Sequence, residues 1–381
     1  MVESVRRGRS RREVAREYGV SLSVIQYWLL RAGDQRLDRV DWEDRPSGPE
    51  VQPRRVSPEM EKRILLLRQQ LKAESDLGEF GAMAIHRELS AAGEPSPSVR
   101  TIGRVLSRCG ALDGRIRRRH PAPPPGWYLP SSAREEVDLF DTIEDLRFVG
   151  GQSVEVLTGV SLRGGLVAAW PQDRVTAKQA VAALIEHWSR HGLPAFAQFD
   201  NATIFQGAHH HPDTIGRVTR LCLSLKVIPV FAPVREPSFQ ASIENFNGRW
   251  QTKVWARFVF PGFPELQAQS DRFVAACRLR GAPRIDAAPP RRTIPHDWQF
   301  DLQARPSGVM IYLRRTDPAG AVSLLGHRFY IADHWHHRLV RAEVNLDDNI
   351  IHFFALRRLE PTTQPLLAEY KYRRPQKRFQ E

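Results

Sequence analysis

Sulfur is scarce in this chain. Its 381 residues include three cysteines, Cys109, Cys222 and Cys277, and their odd number and wide spacing exclude a disulfide framework or a cysteine-based zinc finger. No apolar run approaches the roughly 20 residues a membrane-spanning helix needs. Met1-Val2-Glu3-Ser4-Val5-Arg6-Arg7 leads into no signal-peptide core, so the expectation is a cytosolic, reducing setting with no membrane partner. Acidic side chains are outnumbered, with 43 Asp and Glu against 56 Lys and Arg and a formal net charge of +13. That balance suits a polyanionic partner, although a ribosomal or RNA-processing protein would share it. The length accommodates two to four domains and a sizeable core.

The first segment, 1–40, reads as a helix-turn-helix. Ser10-Arg11-Arg12-Glu13 is a capping-box pattern, followed by an apolar face of Val14, Ala15 and Tyr18. Gly19 supplies the turn, Ser21 caps a second helix, and Val24, Ile25, Trp28 and Leu29 form its buried stripe. Ser21, Ser23, Gln26 and Tyr27 are then the candidates for facing a DNA groove; the bland reading is a structural hairpin. After a polar linker, Ser57-Pro58 opens a second helical unit, 57–112, expected to be winged-helix-like, with a first-helix stripe of Ile64, Leu65, Arg68 and Leu71. Arg100, Thr101 and Arg104 are its candidates for touching phosphate. Residues 113–132 form a Pro-rich basic linker in which Arg117, Arg118 and Arg119 could strap along phosphates.

From Glu136 the apolar period changes. Val137 to Phe140, Val154 to Val160 and Leu166 to Trp170 read as strands separated by Gly-containing turns. A helix capped by Thr176, a strand at Ala195 to Phe199, a helix at Ile215 to Leu223, a strand at Val227 to Phe231 and a long helix from Ser238 to about Ala256 follow. This order predicts a ribonuclease-H-like α/β core over 133–282, with a mixed five-stranded sheet. Three carboxylates stand out within it. Asp200 closes an apolar run in Phe199-Asp200-Asn201-Ala202-Thr203-Ile204-Phe205, and Glu244 lies in Gln240-Ala241-Ser242-Ile243-Glu244-Asn245-Phe246-Asn247-Gly248-Arg249-Trp250. The third is Asp138 or Asp141 on the first strand, whose odd separation puts them on opposite faces. Taken singly, each carboxylate is an ordinary cap or solvated charge.

On these motifs the region from about Glu136 to Trp255 resembles the integrase core of DDE transposases and retroviral-type integrases. Asp200 matches that family's second aspartate, and Glu244 its final glutamate. Asp141, between Phe140 and Thr142, fits the first position better than Asp138. The chain departs from the family pattern in two places. Gln206 to Arg217 looks inserted, and Gln240-Ala241 replaces the usual Asn-Gly. The helical units ahead of the core resemble bacterial insertion-sequence transposases, since no histidine-cysteine zinc module is present. The resemblance implies a nucleoid-associated, DNA-binding transposase or integrase, working as a homo-oligomer on element ends and target DNA, with an accessory ATPase as a further partner. Its chemistry needs a pair of Mg²⁺ (or Mn²⁺) ions about 3.5–4 Å apart. Asp200 would contact one ion, Asp141 would bridge both, and Glu244 would complete the second site. Arg249 and Lys253, one turn apart on the glutamate helix, are candidates for phosphate contact.

Downstream, 283–305 reads as linker. Short alternating runs over 306–360 suggest a small antiparallel β-barrel, and 361–381 a basic tail, disordered in isolation. The runs His209-His210-His211 and His334-Trp335-His336-His337 read as solvated loops rather than metal sites. The expected class is thus multidomain α+β. Two other functions remain open: a catalytically inactive DNA-binding protein on an integrase fold, and a nuclease acting on RNA–DNA hybrids.

Overall fold

The computed structural model describes residues 1–44, 56–112, 126–207, 211–233, 236, 239–375 and 379; Arg117, Arg118, Arg119, His209 and His210 lie outside them. The chain divides into two compact units, Met1–Ser57 and Pro58–Glu381. Among the described residues, no helix is long and apolar enough to cross a membrane.

In the first unit, α1 (Val2–Arg6), α2 (Arg11–Glu17) and α3 (Leu22–Ala32) pack on one another. Ser10 and Glu13 form the expected reciprocal capping box, and Gly19 turns the chain at φ 65°. Val14, Ala15 and Ile25 make the core, with Val20 and Leu29 against it. Ser21 occupies the N-cap of α3, but its hydroxyl bonds to that of Ser23 (2.7 Å) rather than to the helix backbone.

The second unit opens with α4 (Pro58–Glu74), α5 (Ala82–Ala91) and α6 (Val99–Arg108). Leu67, not Leu65, joins Ile64 in the buried stripe of α4. No strand occurs among the described residues of 57–112, so the wing is not seen. These helices are bolted to the core. Arg257 donates to the carbonyls of Lys72, Ala73 and Ser75 at the end of α4, and Lys253 Nζ donates to Gly78 O (2.8 Å). Within the expected linker, Trp127, Tyr128 and Leu129 are core residues packed beside Phe239.

The central sheet begins with β1 (Val137–Arg147), β2 (Ser153–Ser161) and β3 (Val167–Gln172), antiparallel in sequence. The helix α7 (Ala177–His191), with a Thr176–Gln179 capping box, leads to β4 (Phe196–Phe199), parallel to β1. Next come α8 (Thr203–Gln206), α9 (Arg217–Ser224) and β5 (Ile228–Phe231), parallel to β4. This is the expected five-stranded arrangement. The first strand runs seven residues further than its apolar run because a bulge between Ile143 and Leu146 lets it bend, with Asp145 at φ 61° taking the extra position. Gln206 and Gly207 meet Gly216 where the sequence reading expects an insertion. Gly216 N–H donates to Gln206 O (2.9 Å), and a Cβ on Gly216 would stand 2.7 Å from Gly207 N, so only glycines permit the closure.

Two helices cover one face of the sheet, α10 (Ala241–Lys253) and α11 (Phe263–Asp286). Their cores meet at Phe246 and Phe273, and Trp250 Nε1 donates to Ser270 Oγ (3.0 Å). The sequence reading did not register α11, and it runs past Pro283, so the expected linker begins only after Asp286.

The C-terminal strands correct the barrel expectation. The strands β6 (Val309–Arg315), β9 (Leu339–Asn345), β10 (Ile350–Ala355) and β11 (Leu366–Lys371) extend the central sheet to nine strands, ordered β11-β10-β9-β6-β5-β4-β1-β2-β3. The remaining pair, β7 (Ala321–Leu324) and β8 (His327–Tyr330), forms a separate ribbon. The physical reason is the free edge of β5. Its Val230 and Phe231 pair with Ile311 and Tyr312 of β6, and Phe231 stacks on Tyr312 at 4.8 Å. The tail is likewise tied in: the buried Tyr372 donates its hydroxyl to Asp213 (2.6 Å), Arg374 donates to Asp213 O, and Phe379 N–H donates to Gln303 Oε1 (3.2 Å).

Candidate active site

Parallel pairing sets Asp138 against Ala197 and Leu139 against Gln198. Carried two residues on, that register brings Asp141, midway along β1, beside Asp200, which directly follows the end of β4. Phe140 and Phe199 stack at 5.7 Å on the α7 side and clamp the two strands together, so the aspartates point the other way, beneath α10. Glu244, in the first turn of α10, is exposed over this face.

Burial pushes the Asp141 carboxyl up to about 6; the Thr142 N–H opposes the shift, and the negative charges of Asp200, Glu244 and Glu144 add to it. Asp141 thus lies in the field of both partners. Its oxygens are held by protein donors: Thr142 N–H reaches Oδ1 (2.9 Å), and Asn247 Nδ2 reaches Oδ2 (2.8 Å). Asp200 Oδ1 accepts from Ala202 N–H (2.9 Å). Asn201 ties the strand end to β5 by donating to Ala232 O (2.5 Å). Among the described residues, no three His, Cys, Asp or Glu side chains already stand as a metal-binding group. The donor chemistry nonetheless fits a divalent ion. Mutually repelling carboxylates are the hard oxygen ligands such a cation takes, and its charge would relieve the repulsion.

Asp138 has another occupation. It is 1% exposed on the opposite face and accepts from Arg291 at both oxygens (NH1 to Oδ2 3.0 Å, NH2 to Oδ1 2.5 Å) and from Trp188 Nε1 (3.0 Å). Such a fully engaged ion pair holds the fold together and has no room for substrate.

Asn247 was not singled out from the sequence. It is buried, donates to Asp141, and accepts from the Thr158 hydroxyl (2.7 Å), whose residue pairs with Asp141 across the sheet. The available signal was its spacing, three residues after Glu244 on the same helical face. Asn247→Ala is expected to cost about 1–2 kcal/mol of stability through the lost buried hydrogen bonds, read as a lower urea midpoint.

The other candidates divide by surroundings. Ser21, Ser23, Gln26 and Tyr27 are exposed on α3, with Tyr27 Oη accepting from Arg31 (3.3 Å), and Arg100 and Arg104 are exposed on α6. Arg249 and Lys253 are engaged within the fold. Arg249 donates to Cys277 Sγ (3.4 Å) and lies over Phe273, while Lys253, bonded to Gly78 O, lies over Phe80. His211, His334, His336 and His337 are exposed, as expected of solvated loops.

No family model matches the chain, and no curated protein does. Among solved structures, the simian T-cell lymphotropic virus intasome in complex with PP2A regulatory subunit B56 gamma is 14% identical, with 69% of this chain and 84% of that one covered, at a TM-score of 0.33. The catalytic core of BIV integrase is 16% identical over 37% of this chain and 81% of its own, at 0.29. A magnesium complex of the HTLV-2 integrase catalytic core is 14% identical over 36% and 81%, also at 0.29. Likenesses this weak decide nothing about the chain's chemistry.

Proposed function

We propose that the chain is a DNA transposase or integrase of the bacterial insertion-sequence kind, which binds element ends and performs metal-dependent strand cleavage and transfer. The observation supporting this is the single electrostatic site of Asp141, Asp200 and Glu244, supplied by the middle of β1, the end of the adjacent β4 and an overlying helix, with Asp141 pushed up to about 6 by burial and by its neighbours' charges. Asp141, Asp200 and Glu244 would hold Mg²⁺ or Mn²⁺, which stabilises the charge building on the attacking and leaving oxygens of a phosphodiester. Asn247 fixes the orientation of the Asp141 carboxylate, and Thr158 fixes Asn247. The helices α3 and α6 present the side chains for duplex DNA. Homo-oligomerisation on DNA and an accessory ATPase belong to the same reading.

The decisive assay incubates the full chain with end-labelled DNA from its own locus and Mg²⁺ or Mn²⁺. Nicking or joining at element ends is expected, and Asp200→Asn and Glu244→Gln should each reduce it about 1000-fold or more. The second reading, an inactive DNA-binding protein, is favoured by both Asp141 oxygens already accepting hydrogen bonds from protein donors, Thr142 N–H and Asn247 Nδ2. Sequence-specific binding without cleavage, indifferent to both substitutions, would establish it.

A further inference from the structure

On the C-terminal half of the sheet lies a cavity of about 490 Å³ whose lining includes Arg315, Trp335, Arg338, Arg357 and Arg358. Its floor is the buried Trp335, with Arg338 and Arg357 lying 4.8 and 5.9 Å from the ring. Cation–π contact of this kind fixes a guanidinium's plane while leaving its donors free to bind. Arg357 also donates to Glu360 (3.1 Å), whereas Arg338 makes no side-chain hydrogen bond or ion pair among the described residues.

The other two arginines converge on one carboxylate. Arg315 Nε donates to Glu236 Oε1 (2.6 Å) and Arg358 NH2 to Glu236 Oε2 (3.3 Å), leaving the Glu236 side chain 12% exposed. Glu236 belongs to the connection between β5 and α10, eight residues before Glu244. Arg358 also lies over Phe239 (5.7 Å), whose carbonyl accepts from Gln198 Nε2 (2.9 Å), two residues before Asp200. One run of contacts therefore joins the arginine groove to the connection that starts the Glu244 helix and to the strand that carries Asp200.

We infer that this groove binds the phosphodiester backbone of duplex DNA, and that Glu236, paired with Arg315 and Arg358 beside it, is in the free protein an internal counter-anion which the backbone displaces. Four guanidiniums against two carboxylates leave the groove net positive. A planar fork that accepts a carboxylate accepts a phosphate with the same geometry. A cationic ligand would meet the arginines head-on, and a neutral one would leave them uncompensated. Displacement frees Glu236 from Arg315 of β6, eight residues before Glu244. The inference rests on the DNA-processing reading above.

The test measures binding of the full chain to a short blunt duplex, without metal, across a salt series. Removing the competing carboxylate by Glu236→Gln is expected to tighten binding about 3–10-fold and to steepen the salt dependence by about one phosphate contact. Arg338→Ala, whose guanidinium makes no hydrogen bond in the free protein, is expected to weaken binding about 10-fold and flatten the slope by about one. Thermal melting verifies that both variants fold. Affinities and slopes equal to wild type in both variants would overturn the inference, even if the wild type cleaves DNA. Shifts in the expected directions in a protein that cuts nothing would uphold the groove while the catalytic reading fails.

Discussion

Asp141→Asn is expected to abolish metal-dependent strand cleavage while making the metal-free protein more stable at neutral pH. The two effects share one cause. In the folded chain, burial and the charges of Asp200, Glu244 and Glu144 raise the Asp141 carboxyl to about 6, against 3.8 for an ordinary aspartate. Between those values the native state holds a proton that the unfolded chain has lost, so stability falls as pH rises through that window and stays lowered above it. A shift of that size corresponds to a cost of about 3 kcal/mol at most. Partial exposure and the Asn247 bond, which an amide satisfies less well, reduce the expected gain to about 1–2 kcal/mol. In chelator, the difference in unfolding free energy between variant and wild type should therefore grow from pH 4 to pH 6.5. Added Mg²⁺ should stabilise the wild type only, because binding to the native state adds to its stability by mass action. A pH-independent difference would mean that Asp141 titrates normally and that its neighbours' charges do not reach it.

Asp138→Ala should be the more damaging change to the fold, costing about 3–5 kcal/mol. It leaves the Arg291 guanidinium and the Trp188 N–H without the carboxylate that both donate to, in the layer between β1 and α7. Arg291 also donates to Gly192 O (3.1 Å), and Leu193 bridges to Arg292, so the pair fastens the segment after α11 to the start of β4. The double replacement Asp138→Leu with Arg291→Met should recover much of the loss, because a well-packed apolar pair removes both buried charges. Urea unfolding of the single and double variants separates the outcomes. A single variant within about 1 kcal/mol of wild type would reduce the pair to a surface-type bridge.

The sequence and the structure part company over partners more than over elements. Strands β1 to β5 were legible because Gly-bearing turns and apolar runs mark them out, and the opposite orientation of Asp138 and Asp141 followed from the two-residue period alone. That period gives a strand's faces but not its neighbour. The alternating runs Val309 to Leu313 and Leu339 to Leu346 were therefore legible as strands, but their joining the central sheet, rather than closing a barrel, was not. The helix α11 went unread because part of its inward stripe is polar, with Gln269 and Ser270 buried among Leu266, Phe273 and Val274, and because Pro283 reads as a break. At the candidate site the carboxylates carried a signal that Asn247 lacked, since an amide becomes informative only once its partners are known.

The junction of β5 and β6 bears on how the chain can be cut. A fragment ending before Val309 would strip β5 of its neighbour and present Ile228–Phe231, with the ring of Phe231 uncovered, as a bare strand. Such a strand pairs readily with another copy of itself. The minimal soluble piece of this protein is therefore set by hydrogen bonding across that seam, and a boundary drawn after the last carboxylate-bearing helix would yield clumping material.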